Sequence, residues 1–236
     1  GKPIYIIAKT NSDISTTIAN IATEIIFYDT PEDLIEPFTR IVKTFPRVIL
    51  ASKSYVRRQQ LIDESIPFEV IVSNADETPN TSKSFKNQLA EISMRKAKVV
   101  FEKTIDRGLR LIIAADQNIV FDNVMYGKPK TIDEARHLIT FMMGSEEVYA
   151  YTGNSVLLAE GKNILQSINI TDVARMSIDE ISPDELEAYL ATGDCLNYCG
   201  GIQITSSRFI HLKEGRMSTA RGMTLEYAKE MMSNLK

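Results

Sequence analysis

The most informative stretch of the chain is LASKSYVRR, residues 50–58. An apolar strand is predicted over residues 47–51, a short serine-rich loop follows it, and a helix is predicted over residues 55–65. Arg57 and Arg58 fall in the first turn of that helix, where the positive end of the helix dipole disfavours cations unless an anion is bound. With an anion present, free backbone N–H groups, serine hydroxyls and guanidinium groups would converge on it. Spacing alone supports such a site and two solvated surface arginines equally.

Predicted strands and helices alternate on the C-terminal side of this stretch. Two long strands, 148–159 and 164–176, meet at Gly161 in a predicted hairpin. Capping boxes at Thr131 and Ser182 open two helices. The sequence therefore predicts an α/β fold with a mixed, partly antiparallel twisted sheet and flanking helices. The other predicted strands cover residues 68–73, 109–115, 118–121, 200–205 and 209–212, and the other helices cover 82–106 and 223–235.

A second predicted unit precedes this fold. Two strands and two helices are predicted in the order β-α-β-α, over residues 3–9, 12–23, 24–28 and 31–43. We therefore divide the chain into an N-terminal β-α-β-α extension, residues 1–46, and a main domain, residues 47–236. The strands of the extension are rich in isoleucine, so we expect them to pack onto the main domain or across a dimer interface.

Composition and charge exclude several kinds of partner. The 236 residues include 27 Lys and Arg against 31 Asp and Glu, a formal net charge of −4, so we expect no nucleic acid partner. No apolar run approaches the roughly 20 residues of a membrane helix, so we expect no membrane partner. A polyanionic ligand would instead need a local basic cluster.

The cysteines are too few for a disulfide scaffold. Cys195 and Cys199 are the only two, and no histidine lies near them in the sequence, so a zinc site is not expected. The N-terminal residues have no signal-peptide pattern. These features predict a reducing, cytoplasmic location.

Four further positions could carry chemistry, and each also has an ordinary structural interpretation. Asp116 follows the predicted strand 109–115, where α/β enzymes often place catalytic groups, although turn-capping aspartates are also common there. Lys128 lies in a Gly-Lys-Pro connection that could approach a ligand or simply join a strand to a helix. Glu77 lies in an acidic turn and Lys96 in a predicted helix, and neither is informative alone.

Together, these stretches resemble the signatures of the Maf family of nucleoside triphosphate pyrophosphatases. The resemblance covers about residues 48–225 and is carried by LASKSYVRR, VSNADETP (72–79), AADQ (114–117), YGKP (126–129) and a segment at 181–193. It implies a Maf/ITPase-like fold with a cleft. It also implies a hydrolase that cleaves the bond between the α- and β-phosphates of a nucleotide and releases pyrophosphate. Members of this family use a divalent metal and clear modified or non-standard nucleotides from the nucleotide pool.

The resemblance also assigns roles to individual residues. Asp116 would accept a proton and, together with Glu77, would bind the metal, Mg²⁺ or Mn²⁺. The spacing of the arginines and the Gln after Asp116 match the 7-methyl-GTP subgroup most closely, and a homodimer is implied. The phosphate-binding residues would be Ser52, Arg57, Arg58, Lys96 and Lys128. The residues that set the nucleobase would be Val56, Gln117 and Thr205.

Departures from the family pattern bear on the substrate. Val56 stands where the 7-methyl-GTP subgroup has an aromatic residue, Thr205 where Glu or Gln is expected, and the GMTL stretch at 222–225 lacks the usual Pro. Gln117 would lie beside the catalytic carboxylate and face the nucleoside, and its amide suits a purine edge. We therefore expect a purine or modified-purine nucleotide, with modest discrimination between 7-methyl-GTP and GTP. The alternative is a catalytically weak nucleotide-binding protein of the same fold.

Overall fold

The structure is a computed structural model that describes residues 5–9, 24–35, 37, 45–204 and 208–235. In the extension, strands β1 (Tyr5–Lys9) and β2 (Glu24–Tyr28) form a two-stranded parallel sheet, and a 3₁₀ turn over Pro31–Leu34 follows. The two predicted strands are confirmed over these bounds. The helix predicted over residues 12–23, and most of the one predicted over 31–43, lie outside the described residues.

Seven strands form the sheet of the main domain. They are β3 (Arg47–Leu50), β4 (Glu69–Val70), β5 (Arg110–Phe121), β6 (Val124–Tyr126), β7 (Val148–Glu160), β8 (Asn163–Ile178) and β9 (Ile210–Glu214). Their spatial order is β4-β3-β5-β7-β8-β9, with β6 paired to β5. Strand β3 is parallel to β4 and β5, and the other pairs are antiparallel. The mixed sheet predicted from the sequence is confirmed.

Helices cover both faces of this sheet. They are α1 (Tyr55–Asp63), α2 (Phe85–Lys103), α3 (Ile132–Met142), α4 (Pro183–Ala191), α5 (Met217–Ala220) and α6 (Glu226–Ser233). Val100 of α2 shares an apolar cluster with Ile112 on one face, whereas Leu61 of α1 and Ala228 of α6 share a cluster with Ile113 on the other. A third cluster lies under α3 and α4. Among the described residues, no helix combines the length and the apolar character that a membrane crossing requires.

Strand β5 is longer than predicted. Residues 110–121 form one continuous strand. The sequence predicts Asp116 at the end of a strand, and this prediction is wrong because Asp116 lies inside β5. The physical reason is that β7 pairs with β5 as far as Val120, whereas β3 pairs with it only as far as Ile113. The edge of β5 that pairs with β3 as far as Ile113 is therefore no longer paired with β3 at Asp116.

The short elements are predicted less well than the long ones. The strand predicted over 68–73 is only the two residues of β4. The strand predicted over 200–205 is wrong at its start, because Cys199–Gly201 form a 3₁₀ turn in which Gly200 (φ 66°) and Gly201 (φ 75°) adopt the left-handed conformation. Residue 205 lies outside the described residues. The β7–β8 hairpin at Gly161 is confirmed, as is the buried face of α3, formed by Ala135, Leu138, Ile139 and Met142.

Gly153 allows α2 to lie directly on the sheet. It pairs with Asp116 across β5 and β7, and a Cβ there would lie 2.8 Å from the backbone nitrogen of Ala90 and closer still to the carbonyl of Leu89. The backbone of α2 therefore approaches β7 at a distance that only glycine permits. The helix carries Lys96 above Asp116, so this close approach also sets the geometry of the candidate site.

We expect Gly153→Ala to destabilise the protein by about 1–3 kcal/mol, because the added methyl group must push α2 away from the sheet. The measurement is the midpoint of thermal or urea unfolding. Gly108→Ala is the matched control, since a Cβ at Gly108 would meet no atom within 4 Å. Equal stability of the two variants would contradict the close approach.

Candidate active site

A buried lysine joins the two candidate acidic residues. Lys96 Nζ lies 2.6 Å from Asp116 Oδ1 and 3.0 Å from Glu77 Oε2. The Lys96 side chain is 8% exposed and that of Asp116 14%, whereas that of Glu77 is 59% exposed. Helix α2, capped by Ser84, brings the ammonium group to the face of β5 that carries Asp116. The structure therefore brings together three residues that the sequence places far apart.

Arg57 lies at the start of α1 and is held by two hydrogen bonds. Its Nε donates to the carbonyl of Gly222 at 2.7 Å, and one terminal nitrogen donates to Ser52 Oγ at 3.3 Å. Burial lowers the pKa of the guanidinium group, and the negative charge of Asp116 opposes this shift. Among the described residues, no side chain caps the N-terminus of α1, and no acidic residue lies in its first turn. The backbone donors and the cation there are therefore suited to an exogenous anion.

Lys128 adds a further cation from the connection between β6 and α3. Burial lowers the pKa of its ammonium group; Cys199 opposes that shift, and the positive charges of Arg57, Lys53 and Lys96 reinforce it. The connection is tied down because the N–H of Gly200 donates to the carbonyl of Gly127 at 2.8 Å. Like charges gathered in this way repel one another, and an anion among them would relieve the repulsion.

Two residues of this cluster had no role in the sequence analysis. Lys53 lies in the LASKSYVRR stretch, but the sequence predicts no role for it. Cys199 was considered only as a zinc ligand, yet its Sγ donates to the carbonyl of Gln117 at 3.0 Å. Burial raises the pKa of the Cys199 thiol to about 11, against the lowering effect of Arg57 and Lys128, so the thiol is neutral at physiological pH. No local pattern could have revealed a contact across 82 residues of sequence.

Gln117 lies on the opposite face of β5 from Asp116, because successive side chains of a strand alternate between faces. Its Nε2 donates to Thr152 Oγ1 at 3.0 Å and to the carbonyls of Thr219 and Ala220 at 3.0 and 3.1 Å. The expectation that its amide would lie beside the catalytic carboxylate is therefore wrong. Its amide hydrogens are engaged within the protein, which leaves Oε1 as the group it can offer to a ligand.

A pocket opens beside Gln117. Its lining includes Val56, Gln117, Ile119, Tyr198, Cys199 and Arg221. Val56 and Gln117, two of the three nucleobase candidates, thus line one pocket, and Cys199 links that pocket to the cationic cluster. Thr205, the third, lies outside the described residues. Arg58 is half-buried, and its Nε has no hydrogen-bond partner within the described parts of the chain.

The carboxylates of Glu77 and Asp116 fit a hard divalent cation. Asp116 accepts a hydrogen bond from the Lys96 ammonium group and Glu77 forms an ion pair with it, so oxygens of the two carboxylates lie close to one point. Mg²⁺ is commonly held by one or two carboxylates together with substrate phosphates, rather than by a cage made only of protein ligands. The described residues contain no cluster of three or more acidic, histidine or cysteine ligands.

The sheet therefore places two carboxylates and several cations beside a pocket, an arrangement of the kind that enzymes acting on anionic substrates use. More specifically, residues 47–235 match the family described as Maf-like protein, and the chain belongs to that family.

The chain aligns with almost the whole length of several curated relatives. A dTTP/UTP pyrophosphatase of Bdellovibrio bacteriovorus is 26% identical over 80% of this chain and 98% of its own. A nucleoside triphosphate pyrophosphatase of Synechococcus sp. is 31% identical over 80% and 94%. A dTTP/UTP pyrophosphatase of Bacillus cereus is 27% identical over 76% and 90%. Among solved structures, a nucleoside-triphosphatase (dITP/XTP pyrophosphatase) of Mycobacterium abscessus aligns over 80% of this chain and 95% of its own, with a TM-score of 0.35 and 14% identity.

Proposed function

We propose that this protein is a nucleoside triphosphate pyrophosphatase that hydrolyses the α–β phosphate bond to give a nucleoside monophosphate and pyrophosphate. The observation that carries the proposal is the juxtaposition of Asp116 with Lys96 at 2.6 Å, inside a cluster of further cations. A triphosphate needs fixed positive charge, and a hydrolytic water needs a base. Membership in the Maf family and the activities named for the relatives support the same conclusion.

In the proposed mechanism, water attacks the α-phosphorus and Asp116 accepts its proton. Lys96, Arg57 and Lys128 neutralise the charge that develops on the leaving pyrophosphate. The free N-terminus of α1 offers backbone donors to a phosphate. A divalent metal held by Glu77 and Asp116, Mg²⁺ or Mn²⁺, would add positive charge at the phosphates. The cellular role that follows is removal of unwanted nucleotides from the pool.

The nucleobase would enter the pocket lined by Val56 and Gln117. The sequence predicts a purine and places the chain nearest the 7-methyl-GTP subgroup, but the donors of Gln117, which were the reason for a purine, are engaged within the protein. Two of the relatives are named for dTTP and UTP. Oε1 of Gln117 can accept a hydrogen bond from either guanine or a pyrimidine imide, so only direct measurement separates the two.

The experiment is a pyrophosphate-release assay that compares kcat/KM for GTP, 7-methyl-GTP, UTP and dTTP with Mg²⁺ and with Mn²⁺. Measurable turnover supports the enzyme, whereas nucleotide binding without turnover supports the catalytically weak binding protein. A clear preference for UTP and dTTP would show that Gln117 does not select a purine.

Arg58 and Lys128 are proposed to contact the phosphate chain and not the base. Arg58→Ala and Lys128→Ala should each weaken the binding of every nucleotide by a similar factor, about 10–100-fold. Each should also flatten the salt dependence of binding. Because burial lowers the pKa of Lys128 from its usual 10.5, wild-type affinity should fall as the pH rises through a range below that value. Lys128→Arg should remove this fall, since arginine stays charged.

Lys130→Ala is the matched control for Lys128→Ala, because both lysines are exposed on the same connection, whereas Lys130 is not among the cations that shift the pKa of Lys128. The affinities are measured by calorimetry for the four nucleotides named above. An effect of Lys128→Ala on one base alone would assign Lys128 to the base pocket instead.

We further propose that residues 1–46 form a unit separate from the nucleotide domain, and that the protein is a homodimer. The family match begins at residue 47, which supports the boundary. The apolar side chains of Ile7 and Phe27 are 44% and 50% exposed, which supports the proposal that β1 and β2 pack against a further surface. We expect the apolar strands of this unit to pack onto the main domain or across the dimer interface, and truncation before Arg47, followed by light scattering, tests this. Lower solubility is expected, and an equally stable, monodisperse truncated protein would show that the extension packs on neither.

A further inference from the structure

Four consecutive backbone carbonyls accept hydrogen bonds from side chains around the candidate site. They belong to residues 219–222, in a segment that we call the strap (residues 217–225). Gln117 Nε2 donates to the first two, Gln60 Nε2 to that of Arg221 at 3.1 Å, and Arg57 Nε to that of Gly222 at 2.7 Å. The position of the strap therefore fixes the direction of the Arg57 guanidinium group and of the Gln117 amide.

The strap is itself held by a reciprocal pair of buried polar residues. The N–H of Thr224 donates to Asn154 Oδ1 at 2.8 Å, and Asn154 Nδ2 lies 3.2 Å from Thr224 Oγ1. Thr224 Oγ1 also lies 2.8 Å from Thr219 Oγ1. All three residues are at most 2% exposed. Buried polar groups that satisfy one another in this way rigidify the segments they join.

Asn154 holds Thr224 from a fixed position within the sheet. It lies in β7, between Ala115 of β5 and Ile170 of β8, and its Nδ2 also donates to the carbonyl of Thr152. A proline at position 224 would have no N–H for Asn154 to accept. The GMTL stretch of this chain thus supplies a hydrogen bond that a proline could not.

We propose that Asn154 and Thr224 form a lock that positions Arg57 for the substrate phosphates, acting through the backbone of the strap. Within the described part of the chain, the polar side-chain contacts of Thr224 are with Asn154 and Thr219, which are not members of the cationic cluster, so Thr224 would act as a positioning residue. The effect on catalysis rests on the proposed function, but the effect on Arg57 itself does not.

The first test uses the free protein and no substrate. Thr224→Val keeps the shape and the N–H but removes the hydroxyl, so hydrogen exchange of the Arg57 Nε–H, followed by NMR, should become about tenfold faster. Thr224→Ser should restore the slow exchange. Thr219→Val, which removes the hydroxyl partner of Thr224 but not the carbonyl of the strap, is a second variant and should act in the same direction.

Thr104→Val is the matched control. Thr104 is fully buried and its hydroxyl makes comparable hydrogen bonds, with the carbonyl of Val100 and with Arg110, far from the strap in sequence. If Thr104→Val accelerates the exchange of Arg57 as much as Thr224→Val does, the effect is global loosening and the lock is refuted. Unchanged exchange in both Thr224→Val and Thr219→Val would also refute it.

The second test separates positioning from structure by kinetics. Thr224→Val should raise KM for the preferred triphosphate about tenfold and leave kcat within about twofold, because Arg57 is misdirected while Asp116 is untouched. In an Arg57→Ala background, Thr224→Val should have no further effect on KM. Full additivity of the two substitutions would overturn the proposal. Absence of turnover in the wild-type protein would instead overturn the proposed function and leave the exchange result standing.

Discussion

Asp116→Asn should reduce turnover by about 10²–10⁴-fold while the protein stays folded and binds nucleotide. The amide keeps the shape of the carboxylate but cannot accept the proton of the attacking water. Lys96 loses the ion pair at 2.6 Å but keeps Glu77 at 3.0 Å, so the ammonium group stays paired. Removing a negative charge beside the phosphates does not weaken their attraction to the side-chain cations, and so the affinity measured without divalent metal should survive.

The measurement is single-turnover hydrolysis of the preferred triphosphate, with affinity determined separately by calorimetry. Asp122→Asn is the matched control, since Asp122 is an exposed residue of the β5–β6 turn and its positive φ of 47° suits asparagine equally well. Near-normal turnover in Asp116→Asn would remove Asp116 from the role of base. Loss of affinity together with turnover would assign it to binding.

The sequence predicts the parts of this fold that depend on local patterns. The β7–β8 hairpin follows from two long apolar strands around Gly161, and the buried face of α3 follows from helical spacing after Thr131. The strand-loop-helix at residues 47–58 is also found as predicted. In each case the residues that decide the structure are close together in the chain.

The sequence is less informative where two distant segments meet. The apolar run 109–115 predicts Asp116 at a strand end, but pairing with β7 extends β5 past Asp116, which no local pattern indicates. Gln117 was placed beside Asp116, although alternation along a strand already implies opposite faces. Once residues 110–121 are treated as one strand, this alternation predicts that the two side chains lie on opposite faces.

The candidate site shows the same division. The motif stretches contain Arg57, Asp116 and Lys128, and the family resemblance adds Lys96. The structure brings these four residues into one electrostatic cluster. Cys199 and the strap were missed because their contacts join segments that are distant in the chain, such as Cys199 with Gln117 across 82 residues and Arg57 with Gly222 across 165 residues. Hydrogen bonds to backbone carbonyls leave no residue pattern, so such contacts are visible only in three dimensions.

Lys96→Met should lower kcat/KM by about 10²–10³-fold, because it removes a fixed positive charge from the place where the leaving pyrophosphate develops its own. Methionine matches the length of the buried lysine stem, so the packing of α2 on the sheet should be kept. Unlike Asp116→Asn, this substitution should also weaken nucleotide affinity, since the phosphates lose a cation. The two variants are therefore distinguished by affinity and not only by rate.

Lys98→Met is the matched control, because Lys98 is exposed on the same helix two residues further on. Comparing kcat/KM and affinity of the two methionine variants separates a loss of site charge from a general effect on α2. Wild-type kinetics in Lys96→Met would mean that the ammonium group only holds the carboxylates of Glu77 and Asp116 together when the site is empty. In that case the charge on the leaving group would have to be met by Arg57, Lys128 and the metal, and Lys96 would have no part in catalysis.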